Sequence, residues 1–177
     1  MKENKIILAA CGPFEKEFLK KIARSAENEF RIPVTFEERH FDLAPFYNPG
    51  RRQYDANKLL SYISDSSVNE GAKVLGLFRV DLFIPILTYV FGQAKLNGGS
   101  AIASIYRLRN EMYGLKNNEA LLLSRATKEV IHELGHSFGL IHCHVQTCVM
   151  RSSTYVEDID QKSHNFCSGC REILDRK

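Results

Sequence analysis

The chain has 177 residues, 44% of them hydrophobic, enough for one well-cored domain and short for two. Its formal net charge is +3, and its 24 Lys and Arg are scattered among 21 Asp and Glu, so the clustered basic surface of a nucleic-acid binder is missing. No apolar run approaches the roughly 18 residues of a membrane helix, which excludes a spanning segment.

The N-terminal Ile6-Ile7-Leu8-Ala9-Ala10-Cys11-Gly12 superficially resembles the end of a lipoprotein signal, but the run is short of the roughly 7 to 15 apolar residues that a signal needs. A cytoplasmic protein with reduced thiols is therefore expected. Lys5 to Ala10 reads as a buried strand closed by Gly12-Pro13, with Cys11 a small apolar residue at its end. Pro13 to Phe30 reads as a helix carrying Phe14, Phe18, Ile22 and Ala26 on one face. Ile32 to Phe41 alternates through Val34 and Phe36 and predicts a second strand parallel to the first.

Pro45 to Gly50 reads as a loop and Asp55 to Ser64 as a helix. Ala72 to Phe78 is apolar enough for a central strand. Asp81 to Pro85 breaks the pattern. Thr88 to Leu96 and Ala101 to Leu108 predict strands four and five, which Asn97-Gly98-Gly99 would join as an antiparallel hairpin. The fold class expected is α/β or α+β, a mixed, twisted five-stranded sheet with packed helices.

From Leu123 through Ala126, Val130, Leu134 and Phe138 an apolar residue recurs every three or four positions, so this segment is a helix with one face toward the core. Asn117 or Asn118 suits its N-cap, and Gly139 can take the left-handed conformation that ends it. His132 and His136, on the opposite face and one turn apart, can aim at one ion. A chain reversing at Gly139 can return His142 to the same point. Three histidines leave a coordination position open, as in a catalytic zinc site, whereas structural zinc sites are closed by four protein ligands. Glu133 is displaced around the helix from the ion but can reach its water, the place of a general base.

Residues 140 to 177 contain few large apolar side chains, so this small lobe needs a staple. Cys143-x4-Cys148 and Cys167-x2-Cys170 would supply one as a four-cysteine zinc site, since a reduced protein favours metal over disulfides. Because Cys143 follows His142, that second zinc should also steady the third histidine. His144 and His164 are left over as surface or supporting histidines.

The run His132 to His142 completes H-E-x-x-H-x-x-G-x-x-H, the metzincin pattern, with Met150 placed for a Met-turn. With Cys143, Cys148, Met150, Cys167 and Cys170 behind it, the sequence resembles the archaemetzincins, and Val80-Asp81-Leu82-Phe83 and Val90-Phe91-Gly92 are similar to that family as well. The resemblance implies a zincin-like metallopeptidase domain, residues 1–177, in which 1–139 carry the sheet and active-site helix and 140–177 the zinc-stapled lobe. It implies catalytic zinc on His132, His136 and His142, Glu133 as proton acceptor, and structural zinc on Cys143, Cys148, Cys167 and Cys170, two ions per chain. It further implies an apolar floor at Met150, a pocket wall at Arg151 to Tyr155, and strand four as the edge that an extended substrate joins. Ser152 stands where some metzincins place a tyrosine ligand. The partner expected is a peptide or protein substrate, not nucleic acid or membrane; oligomeric state and natural substrate have no sequence signal. Two other readings are a non-catalytic zinc protein that binds peptides on the same scaffold, to which Glu133 would be superfluous, and a zinc-knuckle nucleic-acid binder, for which the cysteine region lacks a basic, aromatic surface.

Overall fold

The structure, a computed structural model, describes residues 5–66 and 71–176. Met1 to Asn4, which precede the signal-like run, and Lys177, the last residue of the expected domain, lie outside the described residues.

Strand β1 (Lys5–Cys11) shows how the sheet sorts its side chains. Ile6, Leu8 and Ala10 enter one core while Ile7, Ala9 and Cys11 enter another, as the two-residue period of a strand requires. Helix α1 (Lys16–Phe30) begins later than its pattern predicts, because Glu15 keeps an extended backbone with φ −68° and ψ 137°. Pro13 and Phe14 form a lead-in, from which Phe14 still stacks on Phe18 with ring centroids 6.1 Å apart. Strand β2 (Val34–Glu38) pairs parallel with β1, as expected, but is shorter than Ile32 to Phe41. Pro33 has no N–H to pair, so only its carbonyl reaches β1, accepting from Ile6 N at 2.9 Å, and past Arg39, whose N–H donates to Ala10 O at 2.9 Å, β1 has ended at Cys11.

The expected loop at Pro45 to Gly50 contains structure. A 3-10 turn (Ala44–Phe46) leads into β3 (Tyr47–Asn48), which pairs antiparallel with β4 (Gln53–Asp55). The Asp55 side chain accepts from Lys58 N and caps α2 (Ala56–Asp65). Strand β5 (Ala72–Phe78) follows, then β6 (Leu82–Phe83), which joins β4 in parallel to complete a second, three-stranded sheet.

Expected strand four shrinks to β7 (Gly92–Ala94), with Val90 making only an isolated bridge to Leu82. Side chains take the carbonyls that a longer strand would use: Arg51 donates to Leu87 O at 2.6 Å, and Gln53 donates to Thr88 O at 2.9 Å. Expected strand five ends early as β8 (Ser100–Ser104). There Tyr106 N donates to Ser104 Oγ at 3.2 Å, turning the chain into a 3-10 segment (Tyr106–Leu108). The main sheet has the order β2-β1-β5-β8-β7, with β7 alone antiparallel, so β5 is central and β7 an edge.

Helix α1 and a long helix α3 (Glu119–Ser137) cover one face, and α2 covers the other. Ala101 and Ala103 of β8 face the α3 side, and their small side chains let that helix lie close. The C-terminal lobe adds α4 (Val156–Gln161) and α5 (Ser168–Asp175). Its Met150, Val156, Ile159 and Phe166 join the same core as Leu134, so α3 is enclosed on almost every side from Arg125 to Leu134.

Two charged groups lock the lobe down. Arg125 clamps Asp160 at 2.7 and 2.6 Å. Buried Glu29 accepts from Asn165 Nδ2 at 2.9 Å, Phe166 N at 2.8 Å and the Arg171 guanidinium. Removing one member of so buried a group strands the others. Glu29→Ala should lower stability by about 3 kcal/mol, whereas Glu17→Ala on exposed helix surface should leave it nearly unchanged; urea unfolding of the zinc-loaded proteins measures both, and equal midpoints would refute the assignment.

Candidate active site and metal centres

Helix α3 is defined at both ends. The Asn118 side chain accepts from Leu121 N at 3.0 Å. At the other end Gly139, with φ 87°, donates to His136 O at 2.8 Å and Leu140 N donates to Gly135 O at 2.9 Å, the paired bonds of a Schellman motif. The reversal carries residues 140 to 150 back across the helix.

That return places two carbonyls behind the histidines. His132 Nδ1 lies 2.8 Å from Val149 O and His136 Nδ1 lies 2.7 Å from Leu140 O. A carbonyl can only accept, so each ring donates its Nδ1–H and turns the Nε2 lone pair outward. The two Nε2 atoms are 3.1 Å apart; a tetrahedral ion with bonds of about 2.05 Å holds its ligands about 3.3 Å apart. The His142 ring centroid lies 5.3 Å from that of His132 and 4.9 Å from that of His136, and one nitrogen from each of the three fits within a 4.8 Å group. Burial holds all three imidazoles below their ordinary range, His132 most strongly, so they stand neutral and able to bind a cation at neutral pH.

The four cysteines converge as a second group. Cys143 and Cys167 sulfurs are 3.7 Å apart and those of Cys148 and Cys170 are 3.8 Å apart. A disulfide requires about 2.05 Å, whereas four thiolates at about 2.3 Å from one zinc lie about 3.8 Å from one another. Val145 N donates to the Cys143 sulfur and Cys167 N to the Cys148 sulfur, each at 3.4 Å. The backbone N–H of Cys170, followed by neighbouring thiols, draws the Cys167 thiol down to about 7, while burial raises Cys148 and Cys170. Cys11 is apart from this cluster at the end of β1, where burial pushes it up to about 12 and leaves it unreactive.

Met150 is fully buried, and its sulfur would lie 2.4 Å from a Cβ at position 135. Gly135 is therefore required by the close approach of Met150 to the helix between the two histidines. Met150 O also accepts from Cys143 N at 3.0 Å, tying it to the residue after His142.

A cleft of about 670 Å³ opens over the histidines between Leu87–Ala94 and Ser152–Tyr155. Arg151, expected in that wall, is absent from the lining and reaches back to His144 O at 3.5 Å. Tyr89 donates to Thr154 O at 2.9 Å and so joins the two walls. Arg107 stacks over the Tyr89 ring at 4.2 Å while held by both oxygens of Asp81 at 2.6 Å, which explains the aspartate in Val80-Asp81-Leu82-Phe83. The spare histidines stay outside: His144 is exposed, and His164 sits 3.3 Å from Ser124 Oγ.

Glu133 is 5% exposed, and its carboxyl is pushed well up, first by burial and then by Glu129. A Cβ on Gly92 would come within 2.6 Å of Glu133 Cγ, so the β7 backbone presses directly on this side chain. Three contributors escaped the sequence reading. Glu129 could have been found by its four-residue spacing from Glu133; buried Lys162 and the contact at Gly92 leave no pattern in the chain.

Residues 14–176 match peptidase family M54. An archaemetzincin of Saccharolobus solfataricus is 32% identical over 177 residues, covering 99% of this chain and 96% of its own. The chain belongs to the archaemetzincin family, M54. Among solved structures it is similar to an archaemetzincin from Methanopyrus kandleri, with TM-score 0.86 and 34% identity over 99% of this chain and 95% of that one. It is also similar to a zinc-dependent peptidase from Methanocorpusculum labreanum, with TM-score 0.84 and 28% identity over 96% and 99% of the two chains. Like its M54 relatives, it is a zinc metallopeptidase.

The Gly135 contact yields a paired test. Gly135→Ala should cost about 1–3 kcal/mol by forcing Met150 off the helix, while Gly169→Ala, with nothing within 4 Å of the added carbon, should be neutral or slightly stabilising; thermal unfolding of the two variants distinguishes them, and an unperturbed Gly135→Ala would remove the packing argument.

Proposed function

We propose that this archaemetzincin hydrolyses peptide bonds with zinc on His132, His136 and His142 and with Glu133 as general base, and that Cys143, Cys148, Cys167 and Cys170 hold a second, structural zinc, two ions per chain. The observation that carries this reading is three neutral imidazoles, two fixed through Nδ1, converging on the cleft beside a buried glutamate. Zinc at such a site supplies a Lewis acid and lowers the pKa of water toward neutrality. Glu133 takes the proton of the attacking water and passes it to the departing amine.

The substrate is a peptide or protein segment lying extended along β7, the sheet edge beside the cleft. Met150, buried against Gly135 on the helix between the two histidines, supplies the apolar floor, and Ser152 to Tyr155 wall the pocket for the side chain after the scissile bond. Five free cysteines agree with a reducing, cytoplasmic setting, and no helix among the described residues is long and apolar enough to cross a membrane.

The two centres are coupled through a short stretch of chain. Val149, which holds His132, directly follows Cys148, and Met150 O binds the N–H of Cys143 beside His142. Cys148→Ser should therefore lose the structural ion and weaken the histidine site with it. Elemental analysis should find two zincs in the wild type and in Glu133→Gln, one in His136→Ala, and fewer than two in Cys148→Ser. Glu133→Gln should lower chelator-sensitive peptide hydrolysis by about 10²–10⁴-fold; full turnover in that variant would contradict the role given to Glu133, and undiminished zinc in Cys148→Ser would refute the coupling.

A further inference from the structure

The end of the cleft nearest His136 is bordered by two exposed apolar side chains. Leu96 and Ile141 both line it, 56% and 70% exposed, and among the described residues neither joins either hydrophobic core. Apolar groups left in water around a concave site mark a surface that a ligand covers.

Both are held in place by the chain on either side of them. Asn97 N donates to His136 O at 2.9 Å, and Gly98 N closes the turn by donating to Lys95 O at 2.8 Å. Lys73 Nζ reaches the same turn, donating to Gly98 O at 2.7 Å and to Ser137 O at 2.9 Å. Leu96 is thereby fixed to the last turn of α3. Ile141 follows Leu140, whose carbonyl holds His136 Nδ1 at 2.7 Å, and precedes His142. The pair stands at set places beside two of the three histidines, so covering it costs little ordering.

Leu87 precedes β7 and Leu96 follows it, so they mark opposite ends of that wall. At the Leu87 end Tyr89 ties the wall to Thr154, next to Tyr155. Backbone pairing along β7 would place a peptide without reading its side chains, which leaves selection to the groups at the two ends. No Lys or Arg is among the described residues lining the cleft, and Lys95, next to Leu96 in the chain, lies against Gly98. An acidic side chain would find no counter-ion there, whereas an apolar one would find two apolar partners.

We propose that Leu96 and Ile141 seat a large apolar side chain on the amino-terminal side of the scissile bond, so that the substrates are peptides or unfolded segments carrying such residues there. The inference rests on the peptidase reading, which puts the side chain after the scissile bond at Ser152 to Tyr155 and so leaves the other end for the chain before it. A folded protein buries its large apolar residues and pairs its own backbone, and offers neither to the cleft.

The test uses two probes on the zinc-loaded protein, acetyl-leucyl-leucine hydroxamate and acetyl-alanyl-alanine hydroxamate. The hydroxamate takes the metal in place of the scissile carbonyl, so the attached residues can occupy only the amino-terminal side. By calorimetry the wild type should bind the leucine compound about tenfold or more tighter than the alanine compound. With Leu96→Ser and Ile141→Ser combined, that ratio should fall toward one while zinc content and affinity for the alanine compound are kept; both positions are exposed, so folding should be undisturbed. A library of quenched peptides gives a second readout: wild-type cleavage should favour large apolar residues before the cut bond, and Leu96→Lys should shift the preference toward Asp and Glu. Equal binding of the two hydroxamates by the wild type, or an undiminished ratio in the double variant, would overturn the proposal. A library left wholly uncut, with the hydroxamate ratio intact, would count against the peptidase reading and leave the apolar seat standing.

Discussion

The turn at Gly139 is the constraint on which the site depends. A helix that continued past Phe138 would carry Leu140 and everything after it away from His132. Because Gly139 adopts a φ of 87°, the chain doubles back, and the carbonyls of Leu140 and Val149 arrive behind His136 and His132. The same return seats Met150 against Gly135, so the absence of a side chain at one motif position and the bulk at another are parts of one packing contact. Imidazole orientation, helix termination and core packing are thus consequences of a single reversal.

The returning segment packs Met150, Val156, Ile159 and Phe166 into the core that includes Leu134, and polar groups at its far end add a second hold, on α1 and α3. Glu29 on α1 gathers the donors of Asn165, Phe166 and Arg171, and Arg125 clamps Asp160. The four-cysteine group is drawn from the same stretch, Cys143 to Cys170. A metal there would close the loops that carry Val149 and Met150, so its binding free energy would bear directly on how firmly the histidines are held.

How much of this is legible in the chain depends on whether a feature repeats. The α3 stripe, the His132 and His136 spacing, Gly139 and the four cysteines each declare themselves by period or residue type, and the structure gathers the three histidines and the four cysteines into two groups. The parallel strands β1 and β5 were recognisable from runs long enough to show their period. The β3-β4-β6 sheet was not, because strands of two or three residues have no period to show. Thr88 to Leu96 falls short of a full strand for another reason: its composition suits one, but Arg51 and Gln53, distant in sequence, both donate to Thr88 O. Lys162 is invisible for the same cause, since only the tertiary fold turns an ordinary polar residue into a buried one.

That burial also explains how the site tolerates its charge. Ionised carboxylates at both 129 and 133, one turn apart and out of water, would repel strongly. Burial pushes both carboxyls up, Glu133 the further, while the charge of Lys162 draws them back down. Three neutral imidazoles add no charge of their own. The positive charge of a bound divalent ion would then be opposed by no ligand anion, which preserves its pull on water and on a carbonyl oxygen. A site with anionic ligands would bind the ion more tightly and polarise less; the histidine set, and the burial that keeps it neutral, favour chemistry over retention, while the thiolates of the neighbouring group suit the opposite task.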